Sequence, residues 1–389
     1  MKIFHLSDLH IGKQLYCYDL KDLQKRMLQS IIEKAEEYRP DVIVIAGDIY
    51  DKAVPSGDAY DLFDEFLDQL ADLQPSIPVL MIAGNHDHAS RLNYASGFLK
   101  KHQIYVSVLP PQEEGEYLDK VVLEDEFGPV NFYMLPFTKP GYIRHLSKDK
   151  AITDYDSAVR FLIDREMVDE RERNVIIAHQ FFVSGEEEPE KSDSELTYIS
   201  VGGLDKVDVS YIEKFDYAAL GHIHRPQKIG REYIRYCGTP LKYSVSEEHH
   251  KKGIFMVTLG AKGTPNVYER IPLVMKPDVR SIRGSLDEVI RQADAENRED
   301  YVSVTLTDED IFRPKDRLEE YYPNLLEVRI DNQRMRAILT EEKEESITDP
   351  GEAFSKFYEE MNGRPLSAAE EKVLIGILES AKQRMEREE

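Results

Sequence analysis

The sequence predicts an α/β protein: a two-sheet β-sandwich flanked by helices, followed by a small α/β capping domain and a C-terminal helical pair. Three observations lead there. Short runs such as VIVIA, VLMIA and VIIA are apolar throughout, as strands buried on both faces are. The early runs are separated by helical patterns near residues 20–38 and 58–73, whereas the later runs follow one another with less helix between. That mixture fits two facing sheets better than one doubly wound sheet. Beyond about residue 277 the pattern changes to short strand and helix segments, and beyond 350 to helix alone.

Strands are expected at residues 2–7, 41–46, 78–83, 130–135, 174–178, 217–220, 233–236 and 253–259. Residues 1–275 therefore form one domain. Residues 184–200 (SGEEEPEKSDSELTYIS) are polar and acidic and read as a long surface loop. The capping domain spans 276–338. It holds strands at 279–282, 301–307 and 325–330, a helix at 314–321, and a helix opened by the capping box Ser285-Leu-Asp-Glu288. Residues 339–350 are acidic and poor in core-forming side chains, as a linker is. The segment 351–389 carries two helices. Phe354, Phe357, Tyr358 and Met361 share a face of the first. The second opens at Ser367-Ala-Ala-Glu370 and presents Val373, Leu374, Ile377, Leu378 and Ala381.

The chain has 389 residues, 41% of them hydrophobic and 32% charged, and a net charge of −24. Such acidity argues against a free-standing, tight nucleic-acid binder, which carries a basic footprint. A polyanionic substrate would have to be drawn by bound metal, a local basic cluster or a partner chain. No apolar run approaches the ~18 residues of a membrane span, and the start MKIFHLSDLH does not read as a secretory signal. Two cysteines, Cys17 and Cys237, make no disulfide framework, which fits a reducing cytoplasm.

Five short motifs close predicted strands: Asp8-Leu-His10, Gly47-Asp48, Gly84-Asn85-His86-Asp87, Ala178-His179 and Gly221-His222-Ile223-His224. In α/β sheets, ligands gather at the carboxyl ends of strands. Asp8 and His10 are two residues apart, as are His222 and His224, so in extended chain each pair points to one side. Glycines before Asp48, Asn85 and His222 allow a sharp turn and close backbone approach. A lone Asp-x-His, Gly-Asp or strand-end His is common, whereas Gly-Asn-His-Asp and Gly-His-x-His are more specific. A buried strand end carrying Asn, His and Asp together is costly without a purpose, and the five in order make coincidence improbable. Asp8, His10, Asp48, Asn85, His179, His222 and His224 offer carboxylate, imidazole and amide donors and no thiolate, which suits Mn²⁺, Mg²⁺, Fe²⁺ or Zn²⁺. Seven donors are too many for one catalytic ion and enough for two sharing a carboxylate.

These motifs resemble those of the calcineurin-like metallophosphoesterases. Longer strings, HLSDLHIGK, VIVIAGDIYD, GNHDHASRL, DYAALGHIHRPQ and YCGTPLKYSVSE, resemble the branch formed by nuclease subunits of bacterial DNA-repair complexes, and the resemblance runs the length of the chain. It implies that Asp8, His10 and His224 hold one metal, that Asn85, His179 and His222 hold another, and that Asp48 bridges them, with Mn²⁺ the foremost ion and Mg²⁺ or Fe²⁺ as alternatives. It implies a catalytic role for His86 near the scissile phosphate, with Asp87 to orient it or serve as a turn residue. In some relatives a histidine lies three residues past the bridging aspartate. Here that position is Asp51, which puts a role for it in substrate contact in doubt. Arg91, Lys13, Arg225 and Lys242 lie in or beside the motif loops and are candidates for DNA contact. The resemblance further implies an ATPase partner docked on the C-terminal helices, a homodimer within a heterotetramer, and nuclease action on DNA ends and hairpins. ATP would bind the partner, because this chain has no Walker A motif. Two rivals are a phosphatase or small-molecule phosphodiesterase on the same site, and a scaffold without catalysis. The complete donor set and His86 speak against the second.

Overall fold

The computed structural model describes residues 1–147, 152–185, 187–195, 205–293, 296–309 and 311–332, and in the C-terminal segment 354, 355, 358, 364–367 and 370–374. The expected linker and most of the helical pair lie outside the described residues. Two described features of that pair agree with expectation. The capping box forms, with the Glu370 amide donating to Ser367 Oγ (3.4 Å) and Ser367 N donating to Glu370 Oε2 (2.9 Å). Residues 370–374 are helical.

Two six-stranded sheets make the sandwich. The first runs, in spatial order, Val267–Pro272, Gly253–Thr258, Lys2–Leu6, Val42–Ala46, Val79–Ile82 and Ile104–Ser107. The second runs Gln227–Ile229, Arg231–Tyr236, Tyr217–Gly221, Arg173–His179, Gly128–Leu135 and Asp119–Asp125. All eight expected strands are present. Alternation explains the all-apolar runs. Ile43 and Ile45 face one core, while Val42, Val44 and Ala46 face the layer between the sheets with Phe132, Met134, Val175, Ile177 and Tyr217. Successive side chains of one strand thus serve two cores.

Helices Lys21–Tyr38 and Gly57–Ala71 cover the outer face of the first sheet. Leu23, Met27, Leu28, Ile31, Ile32 and Ala35 form the buried stripe of the former. Ser56 caps the latter, accepting from the Ala59 amide at 3.2 Å. Helix Tyr155–Arg165 covers the second sheet, held by a capping box between Asp154 and Ser157. A further three-stranded sheet comprises Val279–Gly284, Tyr301–Leu306 and Leu325–Ile330. Contacts divide the chain into two compact units. One comprises Met1–Ile282, Asp287–Val304 and Pro314–Val328, and the other Arg283–Leu286, Thr305–Arg313 and Arg329–Glu389. Among the described residues no helix is long and apolar enough to cross a membrane.

Candidate metal centre

Strands Lys2–Leu6, Val42–Ala46 and Val79–Ile82 are mutually parallel neighbours, and so are Arg173–His179 and Tyr217–Gly221 in the other sheet. Their carboxyl ends therefore reach the same edge of the sandwich from both sheets. The motif loops are then tied together by backbone bonds. Asp8 N donates to Gly47 O (2.9 Å), His10 N to Asp48 O (3.0 Å) and Ile11 N to Ile49 O (2.9 Å). His222 N donates to the Asp8 carboxylate at 3.1 Å, joining the sheets.

Four of the seven expected donors occupy the left-handed backbone region: Asp8 (φ 53°), His10 (φ 45°), Asp48 (φ 51°) and His222 (φ 96°). Such backbone costs on the order of 1–3 kcal/mol per residue and persists only where surroundings enforce it. Here it turns side chains out of the strand line toward one point. The predicted glycines have a steric cause. A Cβ on Gly84 would enter the Asp48 carboxylate, and one on Gly221 would enter the Ala46 carbonyl.

All seven donors converge. His10 Nε2 lies 3.0 Å from His224 Nε2, and Asn85 Oδ1 lies 3.0 Å from His179 Nε2 and 2.9 Å from His222 Nδ1. Asp48 Oδ2 stands between, 3.4 Å from His179 Nε2 and 3.7 Å from His10 Nε2. Donor atoms of Asp8, His10 and His224 lie mutually within 4.8 Å, as do those of Asp8, Asp48 and His179 and those of His10, Asp48 and His86. Asp8, His10, Asp48, His179 and His224 are buried, while Asn85 and His222 are half-buried. Two buried carboxylates amid imidazoles and one amide oxygen demand cationic compensation, so the donor set fits divalent metal. Burial pushes Asp48 upward, but His179 and His86 outweigh it and hold its carboxyl well below the usual range. Burial would lower His179, yet the Asp48 carboxylate lifts it to about 9. Burial and then the neighbouring His179 lower His222 to about 3.

Partners that orient the imidazoles are not legible in the motifs. His179 Nδ1 donates to Ala46 O at 2.7 Å, leaving Nε2 for the centre. His224 Nδ1 donates to Ser194 Oγ (2.7 Å), which donates to Glu247 Oε1 (2.6 Å). Glu247 in turn pairs with Lys252 Nζ at 2.5 Å, and Lys252 also donates to Thr239 Oγ1 (2.6 Å) and His224 O (3.0 Å). Thr239, His224, Glu247 and Lys252 are buried. Thr239 and Glu247 sit inside the string YCGTPLKYSVSE, so a signal existed.

His86 is buried, and its Nδ1 donates to Asp51 O at 2.6 Å. Its Nε2 lies 3.8 Å from Asp48 Oδ2. Of the two readings of Asp87, orienting residue or turn residue, its hydrogen bonds agree with the second. Both Asp87 oxygens accept backbone N–H groups, from Tyr50 (3.0 Å), Ile49 (3.1 Å) and Gly84 (2.9 Å). Asp87 clamps the Asp48 loop to its own loop, and the Asp51 carbonyl supports His86 instead. The four candidate DNA-contacting cations all have intramolecular partners. Lys13 pairs with Asp51 (2.8 Å), Lys242 with Asp278 (2.8 Å) and Arg225 with Glu190, and Arg91 donates to Ala53 O (2.7 Å). His5 is buried between Tyr217 OH (2.8 Å) and Leu220 O (3.2 Å), a structural place.

A buried edge with seven hard-metal donors on a two-sheet sandwich is the signature of a metallophosphoesterase. Residues 1–226 match the calcineurin-like phosphoesterase family, and the chain belongs to it. Residues 276–362 match the family described as type 5 capsule protein repressor C-terminal domain. The SbcD subunit of the nuclease SbcCD from Staphylococcus epidermidis is 32% identical over 330 residues, covering 84% of each chain. A solved structure from Thermus thermophilus and one of a dimetal phosphatase from Danio rerio are 11% and 12% identical, with TM-scores of 0.39 and 0.38. Each aligns over 69% of this chain and 98% of its own.

Proposed function

We propose that this chain is a metal-dependent DNA nuclease subunit, an exonuclease on double-stranded ends and an endonuclease on single strands and hairpins, acting with an SbcC-type ATPase in double-strand break and hairpin processing. One observation carries the reading. The seven donors converge at one sandwich edge in a chain 32% identical to a nuclease subunit along 84% of its length.

Asp8, His10 and His224 would hold one divalent ion and Asn85, His179 and His222 a second, with Asp48 shared. Bound Mn²⁺, Mg²⁺ or Fe²⁺, Mn²⁺ foremost, supplies an activated water nucleophile and neutralises charge on the phosphate. The protein's own groups do the rest. Ala46 O and Ser194 fix the tautomers of His179 and His224, so each presents Nε2 to the centre. His86, held through Nδ1 by the Asp51 carbonyl, would use Nε2 to stabilise the phosphate or to protonate the leaving oxygen. Lys13, Arg91, Arg225 and Lys242 would exchange internal partners for backbone phosphates, giving affinity without sequence readout.

Residues 1–275 would carry catalysis and 276–338 would cap the DNA. Beyond the linker at 339–350, helices in 351–389 would dock on the ATPase. The subunit would work in the cytoplasm at the nucleoid, as a homodimer within a heterotetramer. The test is cleavage of labelled hairpin DNA with Mn²⁺, with and without an SbcC-type ATPase and ATP, beside a phosphoprotein and bis-p-nitrophenyl phosphate. Hydrolysis of DNA stimulated by the ATPase is expected. Hydrolysis of the phosphoprotein with DNA untouched would refute the reading in favour of a phosphatase.

A further inference from the structure

His179 and His224 each have an outer nitrogen seated on an acceptor, Ala46 O and Ser194 Oγ respectively. His10 differs. Its Nε2 lies 3.0 Å from His224 Nε2, while its Nδ1 is buried with no hydrogen-bond partner among the described residues. Metal-binding imidazoles almost always donate the outer N–H to a carboxylate, a carbonyl or water, which fixes the tautomer and raises the basicity of the other nitrogen. A buried polar atom left unpaired calls for an explanation.

The group beside that nitrogen is a carboxylate. Asp51 Oδ1 lies 3.6 Å from His10 Nδ1. Backbone bonds dictate the approach. His10 N donates to Asp48 O and Ile11 N to Ile49 O, and Asp51 N donates back to Ile11 O at 3.1 Å. The chain leaving Asp48 therefore runs along the chain leaving Asp8 and brings Asp51 beside the His10 loop. Lys13 donates to the same Asp51 oxygen at 2.8 Å and anchors it. Both side chains are half-buried.

The Asp51 main chain has a separate task, since its carbonyl accepts from His86 Nδ1 at 2.6 Å. The His10 and His86 rings meet edge to face with 4.8 Å between centroids. One residue thus serves two neighbouring imidazoles through different atoms, and only the service to His10 depends on its side chain. At 3.6 Å the His10 contact is longer than a formed hydrogen bond. A cation drawn to Nε2 withdraws electron density from the ring and makes Nδ1–H a stronger donor toward the carboxylate.

We propose that Asp51 is a positioning residue of the metal centre, whose carboxylate accepts from His10 Nδ1–H, fixes the tautomer that presents Nε2, and strengthens the ion site formed by Asp8, His10 and His224. This rests on the two-ion reading of the centre and adds a support for one of its two sites. A substrate phosphate that draws Lys13 away would leave the Asp51 oxygen to His10 alone.

The test is calorimetric titration of the metal-free full-length chain with Mn²⁺, for wild type, Asp51→Ala, Asp51→Asn and Lys13→Met, with an unfolding midpoint for each. Asp51→Ala should weaken one of the two ions by about 10- to 100-fold and leave the other nearly unchanged. Asp51→Asn keeps an acceptor oxygen without the charge, so it should weaken the same ion by a smaller factor. It also serves should Asp51→Ala fail to fold. Lys13→Met breaks the ion pair but keeps the carboxylate, and should bind Mn²⁺ more tightly than Asp51→Ala. Wild-type affinity for both ions in either Asp51 variant would overturn the proposal. So would a Lys13→Met as weak as Asp51→Ala, or equal weakening of both ions with a lowered unfolding midpoint, either of which would mean that Asp51 merely pins its loop. A wild type that binds no Mn²⁺ would overturn the two-ion reading, and the role of Asp51 with it.

Discussion

Glu247 is the residue on which the orientation of His224 depends, and its removal has a calculable cost. It is buried and pairs with Lys252, itself 7% exposed, at 2.5 Å. Glu247→Ala leaves the Lys252 ammonium with Thr239 Oγ1 and His224 O as acceptors but without its ion-pair partner. Breaking a buried ion pair from one side typically costs about 3–5 kcal/mol, whereas replacing both partners by apolar groups is close to neutral. Glu247→Ala should therefore destabilise the protein by about that amount. The double variant Glu247→Leu with Lys252→Met should recover most of it. Both should weaken divalent-metal affinity by roughly 10- to 100-fold, because Ser194 loses the acceptor that sets its hydrogen bond with His224. Urea unfolding of wild type and both variants, with metal titration of each, measures both effects. A single variant within about 1 kcal/mol of wild type, or a double variant as unstable as the single, would refute the network.

Gly84→Ala places a methyl against the Asp48 carboxylate and should cost about 1–3 kcal/mol as overpacking does. Metal content and unfolding midpoint should fall together. His86→Ala should retain bound metal and lose turnover by about 10²–10⁴-fold, read by metal analysis alongside DNA cleavage. Native-rate cleavage would remove its catalytic role. The carboxyl of Asp125 is held below its usual range first by hydrogen bonds to Arg173, at 2.9 Å for the longer of the pair. A folded-state pKa below the unfolded value contributes stability above about pH 4 that is lost as the pH falls through the folded value. Asp125→Asn should thus be less stable than wild type at pH 7, and the gap should narrow toward about pH 3 in urea unfolding. A gap that widens on acidification would contradict this.

The centre is legible in the sequence because its donors sit in short motifs at strand ends, where local chemistry and topology coincide. Asp8, Asp48, Asn85, His179 and His222 need no knowledge of the fold to be singled out. Their supports do. Ser194, Glu247 and Lys252 meet only through long-range packing, and nothing in their immediate neighbours marks them except the string around Glu247. Asp87 stays open between two roles in the sequence because its position beside His86 says nothing about which backbone groups its carboxylate meets. Among the strands, Asp119–Asp125 escapes prediction because it is an edge strand with charges at both ends and a half-exposed face. Helix Tyr155–Arg165 is absent from the sequence expectation although Asp154 and Ser157 cap it and Ala158, Val159, Leu162 and Ile163 recur at helical spacing. That signal lies in the sequence itself. The cationic candidates show a further limit, since a Lys or Arg in a motif loop is as ready to pair with Asp51 or Asp278 as with phosphate.

The shared carboxylate is best tested by counting ions. Metal-free protein titrated with Mn²⁺ in a calorimeter, with elemental analysis of the saturated sample, should show two ions bound per chain and neither retained at full affinity by Asp48→Ala. One ion per chain in the wild type, or two held equally well without the Asp48 carboxylate, would contradict a centre built around that residue.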